Sequence, residues 1–330
     1  MHKAHRMLLL SMTIALLPVT GCQRHSHSEM YYLISNNLKV AYWKTAAEGF
    51  NQAAAEYHVQ AKVVGPDTYD AQAELTELQH AIAAKPSGIL ISVADATMFQ
   101  SEINAAIDAG IPVITVDSDA PHSHRLFFIG TNNLEAGRLG GQRVVNDLPG
   151  GKGNVVFFSM PGQPNLDERF KGYQEVFADH PGIKTVEVVD IKGESTAAFD
   201  KTQQYMTQTG DKKIDAFICL EATAGKEVAS VLKNDNANRV LVAMDVDSDT
   251  LSLIKSGVID ATIAQKPYTM AYVGLRALDQ IFHDGPKTFR TDYSVDTFSP
   301  FPAFIDTGTA VVDKVNVDLF SNSAAAATTK

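Results

Sequence analysis

The stretch GIPVITVDSDAP, residues 110–121, decides the fold. Its apolar, β-branched run ends abruptly in Asp117, Ser118 and Asp119. A run this short, without polar alternation, is the pattern of a strand covered on both faces, as in a parallel sheet. The acidic residues then fall just past its carboxyl end. Open α/β sheets bind ligands in that crevice. One Asp in such a place equally starts a turn, so the reading depends on whether the pattern recurs.

Around this stretch, strand and helix patterns alternate. Strands are expected at 30–34, 62–64, 88–92, 111–116 and 126–130. Phe50, Ala54 and Tyr57 keep helical spacing, and helices are expected at 71–84 and 98–109, the latter ended by Gly110. A helical segment at 134–148 stops at Pro149, Gly150 and Gly151. The alternation then restarts, with strands at 154–158, 186–189, 216–220, 240–244 and 261–265. Helices are expected at 168–178, 197–209, 225–233, 250–256 and 270–282, and the last apolar runs are 303–305 and 310–312. Such alternation gives parallel sheets with right-handed crossovers. The fold class expected is α/β, with two Rossmann-like parallel-sheet lobes of one architecture in series.

Composition sets outer bounds. The 330 residues are 45% apolar and 20% charged, enough for a full core. A formal net charge of -10 provides no broad basic surface and disfavours nucleic acid as a partner. Lys3 and Arg6 precede an apolar run at 7–17, followed by Val19, Thr20, Gly21 and Cys22. This is the pattern of a secretory signal, with an apolar core too short for a good membrane span. It resembles a bacterial lipoprotein signal: residues 1–21 are expected to be removed and Cys22 to carry lipid. Residues 22–29 then form a polar tether, whose His25 and His27 are not taken as a metal site. Cys219, the only other cysteine, is expected to be a buried small hydrophobe rather than half of a disulfide.

The strand-end pattern recurs in the second half. Glu221 follows the apolar run at 216–220, Asp245 follows 240–244, and Gln265 ends the run at 261–265. After the strand at 154–158 come Asn165 and Arg169. In a parallel sheet these ends share one rim. Ionised carboxylates only accept hydrogen bonds, Arg only donates, and Gln does both. A polyhydroxylated ligand satisfies all three, since each hydroxyl donates and accepts. Tyr42 and Trp43 add flat faces suited to the C–H faces of a sugar ring, although a lone Trp at a helix start is equally a core residue.

The chain resembles the ribose-type periplasmic sugar-binding proteins, the substrate-binding components of ABC transporters, whose fold is shared by the effector domain of LacI-type repressors. The resemblance covers roughly residues 30–318 and rests on GIPVITVDSDAP, IGTNNLEAG at 129–137, DATIAQKPYTMAYVG at 260–274 and DTGTAVVDKVNVD at 306–318. It implies a type I periplasmic binding protein with three hinge crossings, near 130–131, 265–266 and 305–306. The lobes would be 30–130 plus 266–304 and 131–265 plus 305–318, with a disordered tail at 319–330. The implied ligand-binding residues are Tyr42, Trp43, Asp117, Ser118, Asn165, Arg169, Glu221, Asp245 and Gln265. Val40 and Ser118 lie where ribose binders present Asn and Arg, and Glu221 replaces a usual amide, which argues against ribose itself. The extra carboxylate favours a donor-rich ligand such as an amino- or deoxy-sugar.

The implied role is an exported, lipid-anchored, monomeric receptor that closes on a sugar or polyol and feeds an ABC permease. A receptor presenting its closed face to a membrane sensor kinase is the alternative. The export signal and the lack of a helix-turn-helix disfavour a repressor. No activated nucleophile, phosphate loop or metal-ligand motif accompanies the carboxylates, so neither an enzyme, a cofactor nor a metal is expected.

Overall fold

A computed structural model describes residues 24–289, 293 and 295–321. The expected signal segment and Cys22 lie outside them, as does most of the expected tail. The first half runs β1 (Met30–Ile34), α1 (Ala41–Tyr57), β2 (Gln60–Val64), α2 (Ala71–Ala83), β3 (Gly88–Ile91), α3 (Ala96–Asp108), β4 (Val113–Val116) and β5 (Phe128–Gly130). The second continues with α4 (Asn133–Asp147), β6 (Gly153–Ser159), α5 (Pro164–Ala178), β7 (Ile183–Asp190), α6 (Ser195–Met206), β8 (Ala216–Cys219), α7 (Ala224–Asn234), β9 (Val240–Met244), α8 (Ser248–Ser256) and β10 (Ala261–Ala264). The last elements are α9 (Pro267–Asp284), β11 (Phe304–Asp306) and β12 (Ala310–Asp313).

Two sheets result, ordered β11-β5-β4-β3-β1-β2 and β12-β10-β9-β8-β6-β7. They correspond position by position, β4 with β9 and β5 with β10. Every pairing is parallel except β12 against β10. The chain passes between sheets after β5, after β10 and after β11. The α/β fold with two parallel-dominated lobes therefore stands.

Burial explains the continuous apolar strands. All four residues of β3, β4, β8 and β10 are buried, because helices cover both faces of each sheet. In β6 the side chains alternate: Val156 and Phe158 enter one core cluster, Val155 and Phe157 another.

Of the expected bounds that shift, three bear on the lobes or the site. Phe304–Asp306 pairs with β5 in full register, so the lobe boundary expected between 304 and 305 moves past Asp306. Phe304 stacks on Phe128 at 5.2 Å, which ties the strand to the first sheet. Helix α5 starts at Pro164, four residues before the expected 168. Proline tolerates the first helical turn because its missing N–H has no partner there anyway. Finally, residues 317–321 are helical, and Phe320 packs against the second lobe's core, so the chain remains structured past 319.

Candidate functional site

Two aspartates anchor the site. Asp117 follows β4 and Asp245 follows β9, the third strand from the same edge of each sheet. Both adopt left-handed backbone, with φ of 63° and 68°. This conformation costs a non-glycine residue about 1–3 kcal/mol and persists only where the surroundings enforce it. Here the neighbouring strand does: the Asp117 amide donates to Ile129 O at 3.0 Å and the Asp245 amide to Ile263 O at 2.9 Å. The same strained turn thus closes the same strand in both lobes.

Both carboxylates line one inter-lobe cleft of about 560 Å³, counting the space at its mouth. Tyr42, Trp43, Tyr69 and Asp117 form one wall; Gln163, Asn165, Arg169, Glu221 and Asp245 form the other, with Gln265 beside a crossing strand. The walls touch. Asn165 Nδ2 donates to Asp117 Oδ2 at 3.4 Å, and Tyr69 packs so closely on Gly193 that a Cβ there would overlap it.

The early start of α5 matters here. Asn165 and Arg169 lie one turn apart on one helix face, both buried. Helix α4 can approach because a Cβ at Gly137 would overlap the Arg169 carbonyl oxygen. The Arg169 guanidinium is held by three acceptors: Asn133 Oδ1 at 2.9 Å, Leu220 O at 2.7 Å and Gln265 Oε1 at 2.8 Å. An arginine has five N–H donors, so two remain for a ligand. Gln265 Oε1 also accepts from Thr131 Oγ1 at 2.9 Å, and its Nε2 donates to Asp245 Oδ1 at 3.0 Å. One network therefore runs from Thr131 through Gln265 to Asp245 and Arg169.

Asp117 is held differently. Its Oδ1 accepts from Tyr42 OH at 2.8 Å and its Oδ2 from Ser92 Oγ at 3.3 Å. Trp43 meets Tyr42 edge-on, at 5.2 Å and 78°, and its Nε1 donates to Asn36 Oδ1 at 3.0 Å. Trp43 is both a core residue and part of the cleft wall.

Burial raises the affinity of these carboxylates for protons. Asp245 is pushed up to about 7, chiefly by burial; Arg169 and Gln265 oppose the shift, while Asp117 and Glu221 add to it. Burial also raises Asp117 and Glu221, against Arg169 for the first and the α7 amides for the second. Arg169 acts on two buried carboxylates, Asp117 and Asp245, with the half-buried Glu221 beside them, which makes the cleft inhospitable to a further anion and suited to neutral hydrogen-bonding groups.

The structure brings together Tyr42, Trp43, Asp117, Asn165, Arg169, Glu221, Asp245 and Gln265 around this cleft. Ser118 is not among the residues lining it and needs correction. Its amide turns back to Val116 O at 2.6 Å, and its fully buried hydroxyl has no hydrogen-bond partner among the described residues. The left-handed turn at Asp117 sends the next side chain inward. Glu221 is present but committed: it accepts from Thr223 N at 2.7 Å, Thr223 Oγ1 at 2.8 Å and Ala224 N at 2.6 Å. Its charge caps the start of α7, which removes the main reason for expecting an amino-sugar.

Sequence reading missed Tyr69, Gln163, Thr131 and Ser92. Tyr69 and Gln163 lie in loops without periodicity. Gln163 Oε1 is buried without a hydrogen-bond partner among the described residues, leaving it free to accept from a bound hydroxyl. Ser92 directly follows β3, so the strand-end rule that found Asp117 was sufficient to find it.

The chain belongs to the periplasmic binding protein family: the family model described as "Periplasmic binding protein domain" matches residues 31–285. It is 25% identical over 270 residues to the xylose/arabinose-binding protein XylF of Sulfolobus acidocaldarius, an alignment spanning 77% of this chain and 63% of that protein. The structure of a sugar ABC transporter sugar-binding protein from Bacillus halodurans superimposes with a TM-score of 0.76 at 32% identity, covering 88% of this chain and 100% of that one. The XylFII–LytSN complex matches with a TM-score of 0.77 at 26% identity, covering 87% of this chain and 98% of that chain. The ribose import binding protein RbsB of Bacillus subtilis is 21% identical over 226 residues, spanning 67% of this chain and 71% of that protein, and with these relatives the chain is a periplasmic sugar-binding protein of the ribose type.

Proposed function

We propose that this chain is the solute-binding component of a sugar importer, closing its two lobes on one neutral, monosaccharide-sized sugar or polyol. One observation carries the reading. Asp117 and Asp245, from matched strands of opposite lobes, meet Arg169 in a single cleft. A hydroxylated ring between them donates to both carboxylates and accepts from the free Arg169 donors. Because the contacts come from both lobes, binding favours the closed arrangement by its differential contacts. Release needs motion at the crossings after β5, β10 and β11, the hinge of this proposal. Tyr42, Trp43, Asn165 and Gln265 complete the contact set, with Gln163 as a further acceptor.

The rest of the role follows from the sequence. The exported protein is held to the membrane by lipid on Cys22, acts as a monomer, and delivers its ligand unchanged to an ABC permease. It performs no chemistry, because a carrier that binds through hydroxyl hydrogen bonds needs neither a nucleophile nor a cofactor.

Native mass spectrometry of ligand retained through purification, followed by calorimetry with pentoses, hexoses, polyols and sugar phosphates, tests this. The expected result is one-to-one binding of a neutral sugar, with sugar phosphates at least about a hundredfold weaker. Tight binding of a phosphorylated or carboxylated compound, and of no neutral sugar, would overturn it. Likeness to the XylFII–LytSN complex favours a second reading, presentation of the closed face to a membrane sensor. Crosslinking in native membranes separates the two: permease subunits support the importer, a sensor kinase the alternative.

A further inference from the structure

Away from the strand ends that line the cleft, the start of the described chain meets the end of α9. His25 and Glu29 precede β1, while Asp279 and His283 lie one turn apart near the end of α9. One ligand atom from each of these four residues lies within 4.8 Å of all the others. The closest pairs are His283 Nε2 to Glu29 Oε2 at 3.0 Å, His25 Nδ1 to Asp279 Oδ1 at 3.2 Å and His283 Nε2 to Asp279 Oδ1 at 3.6 Å. A tetrahedral zinc ion at about 2.1 Å from each donor sets its ligands about 3.4 Å apart. These pairs already have that spacing.

The surroundings fit a cation. The side chains of Glu29 and Asp279 are only 9% and 4% exposed, yet among the described residues no Lys or Arg forms an ion pair with either. Arg24, the nearest cation in sequence, pairs with Asp284 instead. His25 Nδ1 is buried and makes no hydrogen bond among the described residues despite its closeness to Asp279. Outer contacts fix the ligands as they do in metal sites. Tyr31 OH donates to Asp279 Oδ1 at 3.2 Å, and the Ser26 amide to Glu29 Oε1 at 2.8 Å, leaving Oε2 toward His283. His25 stacks on Tyr57 at 4.7 Å and 7°, which sets its ring plane.

We propose that His25, Glu29, Asp279 and His283 form a structural site for a divalent transition metal, zinc first, that clips the segment before β1 onto α9. Two neutral imidazoles and two carboxylates give a ligand charge of -2, which the ion neutralises. Imidazole and carboxylate donors in four-coordinate geometry suit zinc better than calcium or magnesium, which take six or more oxygens. The ion makes 24–29 part of the first lobe rather than a free tether, so the membrane-proximal chain leaves from a fixed point.

The test uses the full-length chain, purified in detergent and stripped with chelator. Titration calorimetry with zinc chloride is expected to show one ion per chain, and cobalt chloride to give the strong visible absorption of a four-coordinate ion. His25→Ala and His283→Ala should each weaken zinc binding at least about a hundredfold, since losing an outer partner alone costs 10- to 100-fold. His27→Ala should leave it unchanged, because His27 lies outside the cluster and near His58. His25 precedes the first strand, so His25→Ala remains decisive even if His283→Ala fails to fold. No zinc binding, zinc binding unaltered by His25→Ala, or binding abolished by His27→Ala overturns the proposal. None of these readouts uses a sugar, so they stand apart from the importer reading.

Discussion

The two lobes end matched strands in the same strained aspartate and then surround it with different chemistry. Asp117 in the first lobe accepts hydrogen bonds from a phenol, a hydroxyl and an amide, all neutral. Asp245 in the second accepts from Gln265 and faces Arg169, Asp117 and Glu221 through space. Backbone geometry is therefore shared, and so is the through-space pull of Arg169, while the hydrogen-bond partners differ. The first lobe offers a rigid acceptor. The second holds Arg169, whose hydrogen-bond network reaches the crossings after β5 and β10 through Thr131 and Gln265.

The sharpest break of this comparison is Arg169→Ala. Removing this cation strips Asn133 Oδ1, Leu220 O and Gln265 Oε1 of their charged donor and withdraws its charge from Asp117 and Asp245; each buried acceptor left unsatisfied costs about 1–3 kcal/mol. Sugar affinity should fall about a thousandfold or more, and thermal unfolding should show a clear loss of stability. Full affinity in that variant would mean that the second-lobe network is structural only.

Replacing one aspartate at a time comes next. Asp117→Ala leaves a bound hydroxyl and Tyr42 without their acceptor, a loss of about 1–3 kcal/mol, so calorimetry should show affinity lower by about fivefold to a hundredfold. Asp245→Asn should add a different signature. Hydroxyl donors favour the ionised carboxylate, and burial pushes Asp245 up to about 7, so wild-type affinity should rise between pH 6 and pH 8. Asp245→Asn should flatten that rise; Asp117→Asn should keep it. The stability of the sugar-free protein has the opposite sign. A folded pKa raised from 3.8 to about 7 gives stability that is complete below about pH 4 and lost as pH rises through 7. Denaturant titrations at pH 5 and pH 8 should show this loss in wild type and a smaller one in Asp245→Asn.

Two glycine substitutions test the lobes through packing. A Cβ at Gly49 would overlap the Tyr268 carbonyl between α1 and α9, as one at Gly137 would overlap that of Arg169 between α4 and α5. Overpacking of this kind costs about 1–3 kcal/mol. Gly49→Ala and Gly137→Ala should both lower the melting temperature. Only Gly137→Ala should also weaken sugar binding, because it displaces the backbone that carries Arg169.

The same contrast shows what a sequence can reveal. Alternating apolar runs disclosed both sheets, because strands buried on two faces cannot hide among polar residues. Strand-end carboxylates disclosed Asp117 and Asp245, since the position of a residue after a buried strand fixes its rim. Ser118 misled because adjacency says nothing of direction: the positive φ at Asp117 turns its neighbour away. Glu221 sits on the rim, but its oxygens belong to α7, a commitment visible only once Thr223 and Ala224 are in place. His25 and His283 are separated by most of the chain, and no local pattern links them.

Trp43, the only tryptophan in the sequence, lines the cleft and gives the most direct test of the central claim. Its fluorescence should change saturably, with one-to-one stoichiometry, as the sugar identified by calorimetry is added, and the change should vanish in Arg169→Ala over the same concentrations. An emission spectrum unmoved while calorimetry reports saturation would place the sugar elsewhere and contradict binding between the lobes.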